Sequence, residues 1–244
     1  MDLDELRREV QGLATKINDI NPPPPSPPPP PLIVAQQPVM ALPTFPALGS
    51  EQLVNAKLFG NRTDMIRSFD HLKGGKRIAE VGVLQGEFSE VLLEALAPAE
   101  FVALDLFDIH LSDHPWAKRM AEPFMGRTHL EYYQGRFPGK NIKFVQGDSR
   151  EGLLQFPDAY FDMIYIDGDH TYEGVRRDTE AALMKIKPDG TLVFNDYILY
   201  DWNVGDFYGT VPIVNELVMA HQFEVIAFAF ERTMFNDIAI RRPI

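Results

Sequence analysis

Residues 79–90 read "AEVGVLQGEFSE", and how this stretch folds decides the architecture. It closes an apolar run, 77–83 "RIAEVGV", that is too short for a helix and suits a strand. Glu80 stands near the end of that strand, and Gly82 and Gly86 allow the chain to turn tightly. Ser89 can help start the helical pattern that runs over 88–97. A strand, a glycine turn and a helix within twenty residues is the opening unit of an alternating α/β protein.

The same alternation continues downstream. Strand-like runs fall at 101–105 "FVALD", 142–146 "IKFVQ", 161–166 "FDMIYI" and 190–195 "GTLVFN". Helical patterns fall between and after them, around 116–136 and at 150–155, 172–187 and 211–221. Short apolar runs separated by helices imply parallel strands buried on both faces, a doubly wound sheet. The last two runs, 223–230 "FEVIAFAF" and 233–240 "TMFNDIAI", are joined only by Glu231-Arg232 and must pair antiparallel. The expectation is a mostly parallel α/β sheet with one reversed strand. Upstream, 51–59 and 64–72 read as helices, with Thr63 as the N-cap of the second.

The N-terminal fifth is built differently. Leu3, Leu6, Val10, Leu13, Ile17 and Ile20 recur at spacings of three and four, a heptad seam over residues 1–20. With fewer than three heptads and Gly12 inside, such a helix needs a partner. That partner is a second copy of the chain, giving a homo-oligomer, or the chain's own domain. "NPPPPSPPPPP" at 21–31 predicts a polyproline II rod of roughly 30 Å. The proline-rich linker extends over 21–46, leaving 47–244 as the main domain.

Bulk composition narrows the function. A formal charge of −12 without a Lys/Arg stripe argues against a nucleic-acid partner. No apolar run reaches the roughly 20 residues that span a bilayer, so no membrane role is expected. The acidic start Met1-Asp2-Leu3-Asp4-Glu5 is unlike a signal peptide, and the expected location is cytoplasmic. With no cysteine, thiolate metal sites and cysteine nucleophiles are excluded.

The loop after the first long strand resembles motif I (E-x-G-x-x-x-G) of the class I S-adenosylmethionine-dependent methyltransferases. It differs from the G-x-G-x-x-G of dinucleotide enzymes in lacking the third glycine. "NAKLFGNRTDMI", "IDGDHTYEGVRRD", "KPDGTLVFNDY" and "YGTVPIVNE" are similar to family 24 of that class, found among sugar and natural-product O-methyltransferases. The resemblance spans roughly residues 51–242 and implies a seven-stranded sheet with one antiparallel strand. It implies S-adenosyl-L-methionine as cofactor, held by Glu80, Gly82, Gly86, Asp105, Asp148, Ser149 and Asp167. Asp105 would take the ribose hydroxyls and Asp148 the adenine amino group. Asn61-Arg62 would approach the methionine carboxylate or simply form a helix-entry turn.

In this fold the tips of the fourth and fifth strands are neighbours, so Asp167, Asn195 and Asp196 are candidate ligands for one divalent ion. An all-oxygen set favours Mg²⁺, Mn²⁺ or Ca²⁺. Asn195 stands where several relatives carry an acid. The acceptor's proton would pass to His170 or Asp169, and histidine's ordinary pKa of about 6.5 favours His170. Asp169 or Thr171 could instead only cap the helix 172–187. His110, His114 and His129 read as surface residues, Tyr132, Tyr133 and Phe137 as helix core, and 200–209 "YDWNVGDFYG" as an acceptor-side lid. The implied activity is O-methylation of a small-molecule or glycan acceptor. An NAD-dependent oxidoreductase and a non-catalytic cofactor-binding scaffold are the rival functions.

Overall fold

Runs rich in valine, isoleucine, phenylalanine and alanine form the strands of one sheet, and the segments between them form its covering helices. The structure, a computed structural model, describes Asp4, Glu5, Arg7, Arg8, Gln11 and residues 44–220 and 223–243. The chain divides into two units, Met1–Pro43 and Thr44–Ile244. In the first, the described residues are helical, with Arg7 3.7 Å from Asp4 on an exposed face. The expected apolar seam and the proline rod lie outside the described residues.

The second unit runs β1 (Lys57–Phe59), α1 (Arg62–Arg67), β2 (Arg77–Val81), α2 (Glu87–Leu96), β3 (Glu100–Asp105), α3 (Pro115–Ala121) and α4 (His129–Arg136). It continues with β4 (Ile142–Gln146), α5 (Ser149–Leu154), β5 (Phe161–Ile166), α6 (Tyr172–Lys185) and β6 (Ile186–Phe194). A two-stranded ribbon follows, β7 (Tyr200–Asp201) and β8 (Asp206–Phe207), then α7 (Thr210–Met219), β9 (Glu224–Ala229) and β10 (Asp237–Arg241).

The main sheet has the order β1-β9-β10-β6-β5-β2-β3-β4. Only β10 is reversed, antiparallel to both β6 and β9, while β1 runs parallel to β9. The seven expected strands are all present. The eighth, β1, corrects the reading of 51–59 as helix: Lys57–Phe59 pairs with Ala227–Ala229 at the sheet edge. Asn61, not Thr63, caps the following helix, its side chain accepting the Asp64 amide at 2.8 Å.

Strand residues alternate between two cores. Ile164 and Ile166 join Val81, Leu104, Leu192 and Phe194 on one face, packed by Val175 of α6 and Ile213, Val214 and Val218 of α7. Met163 and Tyr165 join Ile78, Phe101 and Val193 on the other, packed by Met65 of α1, Leu92 of α2 and Tyr133 of α4. That alternation is the period-2 geometry of a strand buried on both sides. Chain direction across the sheet reverses between β2 and β5: β3 and β4 lie beyond β2, and β6 lies beyond β5. Ligands of such sheets bind outside the carboxyl ends of the strands at that reversal.

Candidate active site

A cavity of about 1160 Å³ opens at that reversal. It is larger than the ~300–1,000 Å³ typical of sites for one drug-sized ligand. Its lining collects Glu80, Gly82, Asp105, Asp148, Ser149, Asp167, Asp169, His170 and Asp196, residues spread over more than a hundred positions of sequence. Of the expected site residues, Asn61, Gly86 and Asn195 are absent from the wall.

The half of the cavity above β2, β3 and β4 is organised around the turn at 82–86. Gly82 has φ of +79°, and a Cβ there would lie 2.0 Å from the Asp167 carbonyl oxygen, so only glycine fits between the tips of β2 and β5. Gly86, φ +82°, begins α2; a Cβ there would meet the Tyr133 ring at 2.8 Å. Gly86 thus shapes the turn from behind the wall. Asp105, at the end of β3, accepts the Val83 and Leu84 amides at 2.9 and 3.3 Å on one oxygen and the Phe107 amide at 2.8 Å on the other. Glu80 is 1% exposed and accepts a hydrogen bond from the Ser89 hydroxyl, which in turn accepts from Tyr133 at 2.8 Å. Burial pushes the Glu80 carboxyl up to about 8 against the pull of Ser89 and Arg62. Asp148 caps α5 through the Glu151 amide at 3.0 Å and meets Arg177 at 3.2 Å. Ser149 donates to Asp178 of α6, whose carboxyl burial raises to about 6.

The half above β5 and β6 is organised around His170. Its Nε2 stands 3.6 Å from Asp167 and 3.5 Å from Asp196, drawing together the tips of β5 and β6. Its ring stacks on Tyr208 at 4.7 Å, and the Tyr208 hydroxyl donates to Asp201 at 2.7 Å. Burial lowers the His170 imidazole to about 4 despite the nearby Asp169 and Asp201, so the ring is neutral at pH 7. Burial, with Asp196 as neighbour, holds Asp167 well above the usual carboxylate range. Asp196 rises to about 7, again chiefly through burial, with Asp237 adding to it. Asp196 also has φ of +53°, a left-handed conformation uncommon outside glycine, asparagine and aspartate. Strain of this kind gathers at functional sites.

Two expectations are corrected here. Asp167 and Asp196 line the cavity, but Asn195, the third expected ligand, is not on its wall. Asn195 is buried and commits its side-chain amide to Asp237 at 3.1 Å and Tyr165 at 3.3 Å. Among the described residues, no group of three or more histidine, aspartate or glutamate side chains is placed to hold an ion. His129 is the second correction: it is buried, not a surface residue, with its ring between Phe107 and Phe124 and on the cavity wall. His114 also reaches the wall, where its Nδ1 caps α3 by accepting the Trp116 amide at 3.3 Å.

Other expectations find their places. Asp169 is exposed and folds back on the start of α6, accepting the Thr171 amide at 2.9 Å and the Thr171 hydroxyl at 3.0 Å. Thr171 itself caps the helix through the Gly174 amide. Tyr133 and Phe137 are core residues. The stretch 200–209 holds the ribbon, and its Asp201, Asn203, Val204 and Tyr208 line the cavity. The sequence reading did not find the polar cluster at the cavity floor. Arg62 lies 3.4 Å from the Tyr165 hydroxyl and 4.3 Å over the Phe88 ring, and Tyr165 donates to Asp237 at 2.6 Å. Burial opposes the Arg62 charge, but Tyr165, Asp237 and Asp167 more than offset it. An arginine fifteen residues before the next strand carries no signal of this on its own.

Comparison with known proteins agrees with this geometry. Residues 79–197 match the family 24 model described as a methyltransferase domain. This stretch of the chain is similar to a methyltransferase domain. No curated protein sequence matches the chain. Among solved structures, the complex of the Haloferax volcanii methyltransferase activator Trm112 with the protein assigned as its methyltransferase aligns at a TM-score of 0.51 and 12% identity. That alignment covers 72% of this chain and 86% of the other. The trans-methyltransferase CalH, in complex with SAH, aligns at 0.50 and 12% identity over 74% of this chain and 55% of its own. At such identities the likeness is one of fold, and the chain spans about half the length of CalH.

Proposed function

We propose that the domain transfers the methyl group of S-adenosylmethionine to a hydroxyl of a small molecule or glycan. One observation carries this reading: a single cavity has the acid-and-glycine turn of β2–β4 at one side and His170, flanked by two carboxylates, at the other. The donor would lie over Gly82, with Glu80, Asp105, Asp148 and Ser149 along its length and Asp167 beside the sulfonium. The acceptor would enter beneath the ribbon, against Tyr208 and Asn203.

The sulfonium is already an activated methyl donor, so the protein's task is alignment and proton removal. The acceptor oxygen attacks the methyl carbon, the carbon–sulfur bond breaks, and its electron pair stays on the sulfur of S-adenosylhomocysteine. The hydroxyl proton passes to His170. A neutral imidazole has a free lone pair to take it, and Asp169 and Asp201 favour the imidazolium formed. His170 is favoured over Asp169 because the Asp169 carboxylate is engaged by the start of α6.

The test is a screen of purified protein with S-adenosylmethionine against hydroxylated sugars and phenols, reading S-adenosylhomocysteine release. Turnover with an acceptor of this class supports the proposal. Reaction only with amine acceptors would overturn the O-methyl assignment. Preference for a nicotinamide cofactor would overturn the reading as a whole.

A further inference from the structure

The donor-side turn is held by a single helix face. His129, Tyr133 and Arg136 sit at positions i, i+4 and i+7 of α4, one above another on one side. Each reaches a different part of the turn and the helix after it. The His129 Nε2 meets the Leu84 carbonyl, and the Arg136 guanidinium donates to the Gln85 carbonyl at 2.8 Å. Between them the Tyr133 hydroxyl donates to Ser89, which holds Glu80. Two consecutive carbonyls are thereby held by α4, while the Val83 and Leu84 amides bond to Asp105. Leu84 has φ of +44°, a conformation that a leucine does not adopt without restraint.

His129 is arranged for this task at its own expense. A carbonyl only accepts, so Nε2 must carry the proton of that bond. Nδ1 is then left buried without a hydrogen-bond partner, 3.9 Å from the Asp105 carboxylate. A histidine serving only as packing would be expected to satisfy both nitrogens. This one leaves a nitrogen unmet while its partner nitrogen holds the strained Leu84 peptide beside the cavity.

Resting on the methyltransferase reading, we propose that His129, with Tyr133 and Arg136, is a positioning face that sets the turn at 82–86 for the methyl donor. None of the three needs to touch the reacting atoms. Their removal loosens donor binding and leaves the chemical step near its normal rate once donor saturates.

The experiment is calorimetric titration of S-adenosylhomocysteine into the full chain and its variants, with donor KM and kcat beside it. His129→Leu should raise Kd and donor KM about tenfold, as expected for one hydrogen bond and the strain it restrains, with kcat at saturating donor within about twofold. His129→Gln, which keeps an N–H donor, should recover most of the affinity. Arg136→Met, at a partly exposed site, should weaken donor binding by a smaller factor and guards against misfolding of the buried variant. Circular dichroism confirms that each variant is folded. Wild-type affinity in both His129→Leu and Arg136→Met would overturn the proposal, as would a loss in His129→Gln equal to that in His129→Leu. An unaltered protein that binds no S-adenosylhomocysteine would overturn the methyltransferase reading first, and this one with it.

Discussion

The two halves of the cavity are built on opposite plans. Above β2–β4, each polar group has a fixed task in holding backbone: Asp105 holds three amides, Ser89 holds Glu80, and α4 holds two carbonyls. Above β5 and β6, three titratable groups share one small volume with His170 between its carboxylates, and the adjoining ribbon leaves Trp202 76% exposed. The first half is a rigid mould; the second is a reactive cluster under a thin cover. Binding a donor of constant shape needs a mould. Accepting a proton needs groups whose charge can change.

That contrast can be broken by substitution. The largest effect is expected at the reactive end. His170→Ala should lower kcat by about 10²–10⁴ with little change in KM, measured by product release at saturating donor. Asp169→Asn should leave turnover near normal, since that side chain serves the start of α6. A large loss there, with active His170→Ala, would exchange their roles. Gly82→Ala probes the junction of the halves. Left-handed φ and overlap with the Asp167 carbonyl should together cost about 2–5 kcal/mol of stability, read by chemical denaturation.

A smaller effect concerns pH. Glu80 and Asp196 are raised in the folded state, to about 8 and about 7, so the folded chain retains protons that the unfolded chain releases. Their stabilising contribution is present at low pH and is lost as pH rises through those values. His170, lowered to about 4, works the other way, and its effect levels off only about one unit above its unfolded pKa of about 6.5. Between pH 6.5 and 8 the raised acids outweigh the remainder of the His170 effect, and the melting temperature should fall across that interval. A rise there would contradict the assigned burial of Glu80. The smallest effect is a null: EDTA should leave turnover unchanged, and restoration by Mg²⁺ after its loss would return Asp167 and Asp196 to a metal role.

The mould was legible in the sequence and the cluster only in part. Glu80, Gly82, Gly86 and Asp105 announce themselves because local rules confine them: a turn needs glycine, and an acid at a strand end faces the cleft. Asp167 and His170 were legible as a dense polar stretch at a strand end. The burial of Asn195 is not legible, because its partner Asp237 lies 42 positions away on the reversed strand, which no local pattern reveals. His129 reads as a surface residue because it falls in the stretch after Asp105, away from the strand ends. Only the packing of Phe107 and Phe124 encloses it. The three-residue strand β1 is too short to show a period, and its pairing with β9 crosses about 170 positions.

The most direct test of the account is calorimetric titration of S-adenosylhomocysteine and of NAD into the full-length protein and Asp105→Ala. The account predicts one-to-one binding of S-adenosylhomocysteine, weakened by about 1.5–3 kcal/mol for each charge-assisted hydrogen bond lost in Asp105→Ala, and no binding of NAD. Tight NAD binding, or S-adenosylhomocysteine affinity indifferent to Asp105, would contradict it.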